Sequence, residues 1–392
     1  MRVSKNTLII LFILPALNAC IEPFTPEINE YQNMLVINGK ITNQEGYQYV
    51  EVSHASSFNN PVRFQESGCD VKVYDDKGNI FQYNESSPGY YRCLIDTEYL
   101  SENTRYKLVV VTKDNVTYES GFDQMLPCAD IDTVYYEVSE IPADNYLLSP
   151  YPGIQFYVDT KEAEGGVSNY RWELEETYEY HSRYNEGDWY DGEIHFTYPD
   201  DYADSLVVCW RGGKLKGIYT MSTRNYATNK ITRGLLNFVD NQTDRLSVKY
   251  SLLVKQFSLS DSAYDYWSNM KQLTQETGGL YETQPIRLTG NIRNRDNPDE
   301  TVLGYFWASS FKQKRVFYKR NFEFSIVEPP CELFNFTPSE LEEYLKAFDE
   351  SEYPIYLINL TETMDGPWDT ADQRCFNCRL RNGTTTKPEF WE

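Results

Sequence analysis

The chain has 392 residues, with 59 acidic side chains against 36 basic ones and a formal charge of −23. Such a field disfavours nucleic acid and anionic headgroups as partners. Aromatic residues make up 15% of the chain and include 33 Tyr, which excludes an acidic disordered tail and suits β-structure. At the start, Arg2 and Lys5 precede a mostly apolar run from Leu8 to Leu17. That run is too short to cross a bilayer, which takes ~20 residues, so residues 1–19 read as an export segment removed on maturation. Leu17-Asn18-Ala19-Cys20 has the form of a bacterial lipobox, so Cys20 is expected to become a lipid-bearing N-terminus; an ordinary signal peptide with a chance cysteine is the competing reading. Each buried methylene contributes ~0.8 kcal/mol, so two or more acyl chains on Cys20 anchor the protein durably. Losing Arg2 and Lys5 takes the mature chain to −25 by subtraction. Residues 20–32 form the acylated linker, and no later segment has the ~18 consecutive apolar residues of a spanning helix, so the remainder is expected to be soluble and outside the cytoplasm.

Residues 33–126 read as a β-sandwich of immunoglobulin-like kind. Leu35, Ile37 and Ile41 alternate with Val36, Asn38 and Lys40, and Val50 and Val52 follow. Val71 and Val73 lead into Asp75-Asp76-Lys77-Gly78-Asn79, a hairpin signal. Tyr106 to Val111 is a nearly continuous apolar run, which predicts a strand covered on both faces. A boundary falls at Leu126-Pro127-Cys128-Ala129-Asp130. Residues 130–392 then read as a larger β-rich domain with alternating runs at 153–159, 170–174, 205–210 and 245–257, interrupted by two short helices. Ser260 caps the first, where Ala263, Trp267 and Met270 share a face before Gly278-Gly279 stops it. Thr337-Pro338-Ser339-Glu340 is a capping box for the second, with Leu341, Tyr344, Leu345 and Phe348 as its apolar stripe. The fold class is therefore mainly β.

Seven cysteines remain after Cys20, and an exported chain meets an oxidising compartment where disulfides are the default. Cys375-Phe376-Asn377-Cys378 has CxxC spacing, but zinc or redox chemistry lacks a second CxxC or a nearby His. Cys209, Cys331, Cys375 and Cys378 are expected to form two disulfides, with Cys375 and Cys378 each reaching a distant partner and tying the C-terminal tail to the β core. Cys69 and Cys93 are the weaker candidate pair, as neighbours across a sandwich hairpin, with Cys128 left over.

Catalytic signatures are missing: there is no GxSxG elbow, P-loop, dinucleotide fingerprint or HExxH. No catalytic residue, cofactor or metal site is expected, and Asp296-Asn297-Pro298-Asp299-Glu300 reads as a solvated turn rather than a Ca²⁺ loop. The stretch from Tyr170 to Tyr219 is dense in rings and acids. Tyr178, Tyr180, Tyr184, Trp189 and Tyr190 are its candidate ligand or partner contacts, as an exposed loop that stacks on sugars or on a protein. A strand pair whose Tyr ladders face solvent is the equal alternative.

Several segments together resemble a known family. Leu35-Val36-Ile37-Asn38-Gly39-Lys40-Ile41, Cys69-Asp70-Val71-Lys72-Val73-Tyr74-Asp75, Gly89-Tyr90-Tyr91 and Ala263-Tyr264-Asp265-Tyr266-Trp267 are similar to the Bacteroidota lipoproteins of domain of unknown function 4249. The most specific piece lies between Pro285 and Ser310, with Gly290-Asn291-Ile292 and Val302-Leu303-Gly304-Tyr305-Phe306. The tail, from Cys375 through Lys387-Pro388-Glu389-Phe390-Trp391, also fits, so the resemblance runs from Cys20 to the C-terminus. Four Asp-Ser/Thr-apolar segments, among them Asp132-Thr133-Val134, look like O-glycosylation sites of exported Bacteroidota proteins. The resemblance implies a sandwich followed by a larger β-rich part, and a non-catalytic accessory lipoprotein of a TonB-dependent outer-membrane transporter. Such a protein would help capture or admit a ligand for nutrient uptake, at the cell surface, anchored by Cys20. A free-standing surface glycan-binding or adhesion lipoprotein is the first alternative and a glycan-processing enzyme the second.

Overall fold

The computed structural model describes residues 34–55, 64–141, 150–163, 167–184, 188–195, 206–276, 288, 290–359 and 368–392. The export segment, Cys20, the linker and Gly278-Gly279 lie outside these residues. The architecture is mainly β.

The first nine strands are β1 (Leu35–Thr42), β2 (Tyr47–His54), β3 (Phe64–Gln65), β4 (Asp70–Asp75), β5 (Ile80–Ser87), β6 (Tyr90–Leu94), β7 (Arg105–Val111), β8 (Thr117–Ser120) and β9 (Asp123–Gln124). Period-two alternation sets which side of each strand is buried. In β1, Leu35, Ile37, Gly39 and Ile41 point inward. At the β4–β5 hairpin, the Asp75 carboxylate accepts from the backbone N–H of Lys77 (2.9 Å) and Asn79 (2.8 Å), while Gly78 takes φ +95°. In β7 only Tyr106, Leu108 and Val110 are fully buried; Lys107, Val109 and Val111 keep partial solvent contact, so the strand is covered on one face rather than two. β5 makes the sandwich: its first half pairs with β4 and its second half with β6, so one ladder folds over itself around a shared core.

The remaining elements are β10 (Ile131–Ile141), β11 (Tyr151–Thr160), β12 (Asn169–His181), β13 (Asp188–Tyr190), β14 (Ile194–His195), β15 (Val208–Lys214), β16 (Tyr219–Ser222), β17 (Gly234–Asp240) and β18 (Lys249–Ser258). Helix α1 (Asp261–Glu276) follows, then β19 (Ile292–Asn294), β20 (Phe306–Ser309) and β21 (Phe311–Lys319). β22 (Phe334–Phe336), α2 (Pro338–Leu345), β23 (Ile355–Asn359) and β24 (Trp368–Thr370) end the chain.

The first sandwich is not made by residues 33–126 alone. Its strand order is β19-β8-β7-β4-β5-β6-β2-β1-β20, so both edges come from residues 292–309. β20 runs parallel to β1, stitched by Ile37 N–H to Leu303 O (2.9 Å) and Gly39 N–H to Tyr305 O (3.1 Å). Gly304, at φ +93°, admits no side chain: a Cβ there would sit 2.1 Å from Ile37 O. The Asn291 amide accepts from Phe306 N–H (2.9 Å) and donates to Phe306 O (2.6 Å). The segment that carries the family resemblance most specifically is thus the one that closes this sandwich.

A second core lies between the β10-β11-β17 sheet and the β15-β12-β18-β21 sheet, where Val134, Phe156, Trp172, Leu174, Tyr250, Leu252 and Val254 meet. α1 is capped by Ser260, whose Oγ accepts from Ala263 N–H (3.3 Å), and packs Ala263 and Tyr266 onto Tyr305 and Trp307. The two halves are joined by charge as well. Lys40 Nζ of β1 sits 2.6 Å from a Glu173 carboxylate oxygen of β12 and 4.6 Å from the Phe257 ring centre. Arg171 bridges to Glu173 (3.2 Å) and lies over the Trp267 ring at 3.8 Å. The small sheet β14-β13-β23-β24-β22 joins residues 188–195 to the C-terminal segment, beside α2; Leu341 and Leu345 are the buried part of the α2 stripe.

Candidate functional site

Two disulfides shape the C-terminal half. Cys209 of β15 bonds Cys378 across 169 positions of sequence, and Cys331 bonds Cys375 across 44. Each cysteine of the CxxC therefore reaches a distant partner. The tail is also stitched to β15, with Trp210 N–H to Thr384 O at 2.8 Å and Thr384 N–H to Trp210 O at 2.9 Å. Gly383 allows the approach; a Cβ there would meet the Tyr180 hydroxyl at 2.1 Å.

Between the tail, β12, β15 and the loop after β21 lies an open cleft of about 680 Å³. Tyr178, Tyr180, Leu380, Pro329 and Pro330 supply its apolar wall, and Cys331 and Cys375 lie in its rim. The polar lining is dominated by Arg183, Arg211, Arg320, Arg374 and Arg381, opposed by Asp244, Glu328 and Asp372. Arg381 pairs with Asp244 and sits over the Tyr180 ring, its guanidinium 4.3 Å from the ring centre. Burial pushes the Arg381 guanidinium below its ordinary range, and the neighbouring Arg211 charge adds to this. Arg374 is held by Asp372 within its own turn. Glu328 is shared at longer range by Arg183 (3.4 Å) and Arg320 (3.8 Å). Burial raises the phenols of Tyr178 and Tyr180, while the charges of Arg211 and Arg381 pull them back down. The Tyr180 ring thus lies beneath the Arg381 fork as a cation–π pair.

The sequence-derived contact residues divide. Tyr178 and Tyr180 are 7% and 1% exposed, so they are not part of an exposed loop; they sit on the inward side of β12 and line the cleft from there. The Tyr180 hydroxyl donates to Cys378 O (2.7 Å). Tyr184 is half-buried, with its hydroxyl donating to Cys331 O (2.9 Å) and its ring against Phe376. Trp189 stacks on His195 at 3.9 Å, and Tyr190 meets Tyr353 edge-on, so both are packing partners of the small sheet. The structure does not bring these five rings together as one surface.

The arginines were missed by sequence reasoning because they are scattered from position 183 to 381. The available signal was local: Arg374, Arg379 and Arg381 crowd the CxxC of a strongly acidic chain.

The pairing of Cys69 with Cys93 is corrected. Both are free thiols, as is Cys128. β5 lies between their strands, with Tyr83 opposite Val71 on one side and Asn84 opposite Arg92 on the other. With β5 interposed, the two cysteines are not neighbours across one hairpin. The Asp296–Glu300 turn is organised by Asn294, whose side-chain oxygen accepts from Asp296 N–H (2.9 Å) and Asn297 N–H (3.1 Å). Among the described residues, no three His, Cys, Asp or Glu side chains converge as metal ligands.

A family model described as Domain of unknown function (DUF4249) matches residues 21–315. The match ends short of the tail motif around Cys375, and it takes in the sandwich, its closing strands, β12 and β15 but not Arg320, Arg374 or Arg381. No curated protein matches the chain.

Proposed function

The chain belongs to the DUF4249 family, and from that premise we propose that it is a non-catalytic accessory lipoprotein of a TonB-dependent outer-membrane transporter. It is held by lipids on Cys20, faces the cell exterior and helps capture or admit a ligand for nutrient uptake. The observation that carries the binding part of this reading is the cleft. It gathers five arginines beside Tyr178 and Tyr180 of β12, and the Cys331–Cys375 disulfide lies in its rim. The transporter and the membrane enter through the lipobox and the family resemblance. No helix among the described residues is long and apolar enough to cross a membrane.

One observation favours the free-standing surface binder as a second reading. The outer side of β2 and β6 exposes Tyr47, Tyr49 and Tyr90, with Arg92 over the Tyr47 ring at 4.4 Å. Rings of this kind can stack on sugar faces without a transporter.

Cross-linking followed by purification from detergent-solubilised membranes separates the two. The proposal expects a β-barrel transporter to co-purify, and expects Cys20→Ser to release the protein from membranes in high salt and carbonate. A wild type that never brings down a barrel, even after cross-linking, removes the transporter and leaves the free-standing binder.

A further inference from the structure

We infer that the cleft is an anion-binding site whose ligand is a small organic molecule carrying a carboxylate or phosphate group, gripped chiefly by Arg211 and Arg320. This deepens the capture role and rests on the reading of the cleft as the binding site, though not on the identity of the barrel.

The first argument is charge. The protein as a whole carries −23, yet this cleft gathers five arginines against three carboxylates. A strongly negative surface repels free anions, so a locally positive recess is where one would settle. The second argument is which arginines are already engaged. Asp244 holds Arg381, and Asp372 holds Arg374. Glu328 is divided between Arg183 and Arg320, at distances too long for a tight bidentate pair.

Arg211 stands opposite Tyr178 in the β12–β15 register and donates to the Arg381 carbonyl at 3.3 Å. That uses one of its five N–H donors, and a backbone carbonyl leaves its charge unneutralised. Arg320 donates to Ser247 O at 3.3 Å, while its Nε and the Ser247 hydroxyl are buried with no protein partner. Both residues line the cleft. Beyond these single 3.3 Å contacts the terminal guanidinium nitrogens of Arg211 and Arg320 keep further N–H donors, and a ligand oxygen in the cleft would take them. The guanidinium fork matches planar carboxylate and tetrahedral phosphate oxygens, which is why the two chemistries share one site. The volume suits a small organic molecule, and Tyr178 and Tyr180 with Leu380 give its uncharged part an apolar wall.

The test is calorimetric titration of the detergent-solubilised full chain with citrate, inorganic phosphate and maltose, at ionic strength fixed with sodium chloride. Saturable binding of citrate or phosphate near one per chain is expected, with none for maltose; which anion binds more tightly separates the carboxylate from the phosphate source. Arg211→Gln and Arg320→Gln should each weaken the anion by about tenfold or more, since each removes charge-assisted hydrogen bonds. Arg295→Gln, on the far edge of the sandwich, removes the same charge elsewhere and should leave affinity unchanged. Because Arg320→Gln also removes a structural bond, Arg211→Gln and Arg211→Lys are read beside it, with the thermal midpoint of each variant recorded. Arg211→Lys should bind between wild type and Arg211→Gln. No saturable binding of either anion, or an equal loss in Arg211→Gln and Arg295→Gln, overturns the inference, as does binding of maltose alone. The two proposals fail separately: a wild type that binds the anion but brings down no barrel sinks only the transporter. Conversely, co-purification of the barrel without anion binding sinks only the site.

Discussion

The N-terminal sandwich and the segment after residue 320 are held together by different means. In the sandwich, Ile37, Val52, Val71, Val73, Tyr106, Leu108 and Val110 are all 0% exposed and form one continuous core. It contains no disulfide, and its two cysteines, Cys69 and Cys93, are free. After residue 320 the strands run three to five residues, two small clusters hold many of the apolar side chains while Phe324 and Ile326 pack on the second core, and both disulfides have partners there. The difference has a physical reason. A cleft lined with arginines and carboxylates cannot also present a broad apolar face, so covalent links replace the missing burial around it.

Breaking the links should show the contrast at its largest. Replacing Cys209 and Cys378 by Ala opens the longer closed loop and is expected to cost about 5 kcal/mol by chain entropy, against about 4 kcal/mol for the Cys331–Cys375 pair. Urea unfolding reads the totals. Limited proteolysis of each variant should cut after residue 320 while leaving residues 35–124 intact; equal cutting in both regions would remove the contrast.

The junction comes next. Glu173→Gln leaves Lys40 and Arg171 facing each other across the interface. The expected loss is about 2 kcal/mol, below the 3–5 kcal/mol of a fully buried pair because Lys40 keeps about a third of its side chain in solvent. Burial raises the Glu173 carboxyl, but the Lys40 and Arg171 charges outweigh it and hold it below the usual glutamate range. A carboxyl depressed on folding contributes stability above its unfolded pKa of ~4.3 and loses it as pH falls through the folded value. Burial works the other way at Lys40, whose lowered pKa costs stability at neutral pH that is relieved only in alkali. Urea midpoints of wild type and Glu173→Gln should therefore begin to converge as pH falls below the unfolded value of ~4.3 and meet only below the depressed folded value.

The smallest effect sharpens the same contrast from the other side. Cys69→Ala with Cys93→Ala should cost less than about 1 kcal/mol, because neither is in a disulfide and each thiol makes only a long, weak contact, to Glu66 O (3.8 Å) and Leu94 O (3.6 Å). Burial raises both thiols, so at neutral pH they should alkylate slowly in the native state and fully in urea. A mixed or intramolecular disulfide at either cysteine in non-reducing peptide maps would contradict this.

Much of the sandwich was legible because its strands are regular. The alternation of Leu35, Ile37 and Ile41, the Asp75–Asn79 turn and the run at Tyr106 each announce themselves locally. Its closing strands did not, since β19 and β20 come from residues 292–309 and no local pattern says which sheet they will join. β12 hid its period for a different reason. Trp172, Leu174, Tyr178 and Tyr180 alternate inward, but Glu176 occupies the inward position between them, accepting from the Tyr250 hydroxyl (2.8 Å) and facing Arg245 (3.6 Å). One inward carboxylate made a core strand look like an exposed acidic loop. The cleft was half legible: Cys331 and Cys375 of its rim stood out, whereas Arg211 and Arg320 acquire meaning only once folding brings β15 and the end of β21 together.

Hydrogen exchange of the full chain, oxidised and reduced, each with and without citrate, tests most directly the claim that the cross-linked region is the binding region. In the oxidised protein, citrate should slow exchange in β12, β15 and residues 372–384 and leave β1, β4 and β7 unchanged. Reduction should raise exchange after residue 320 and abolish the citrate effect, with the sandwich still protected. Slowing centred on the sandwich, or a citrate effect at the cleft that survives full reduction, would contradict the account.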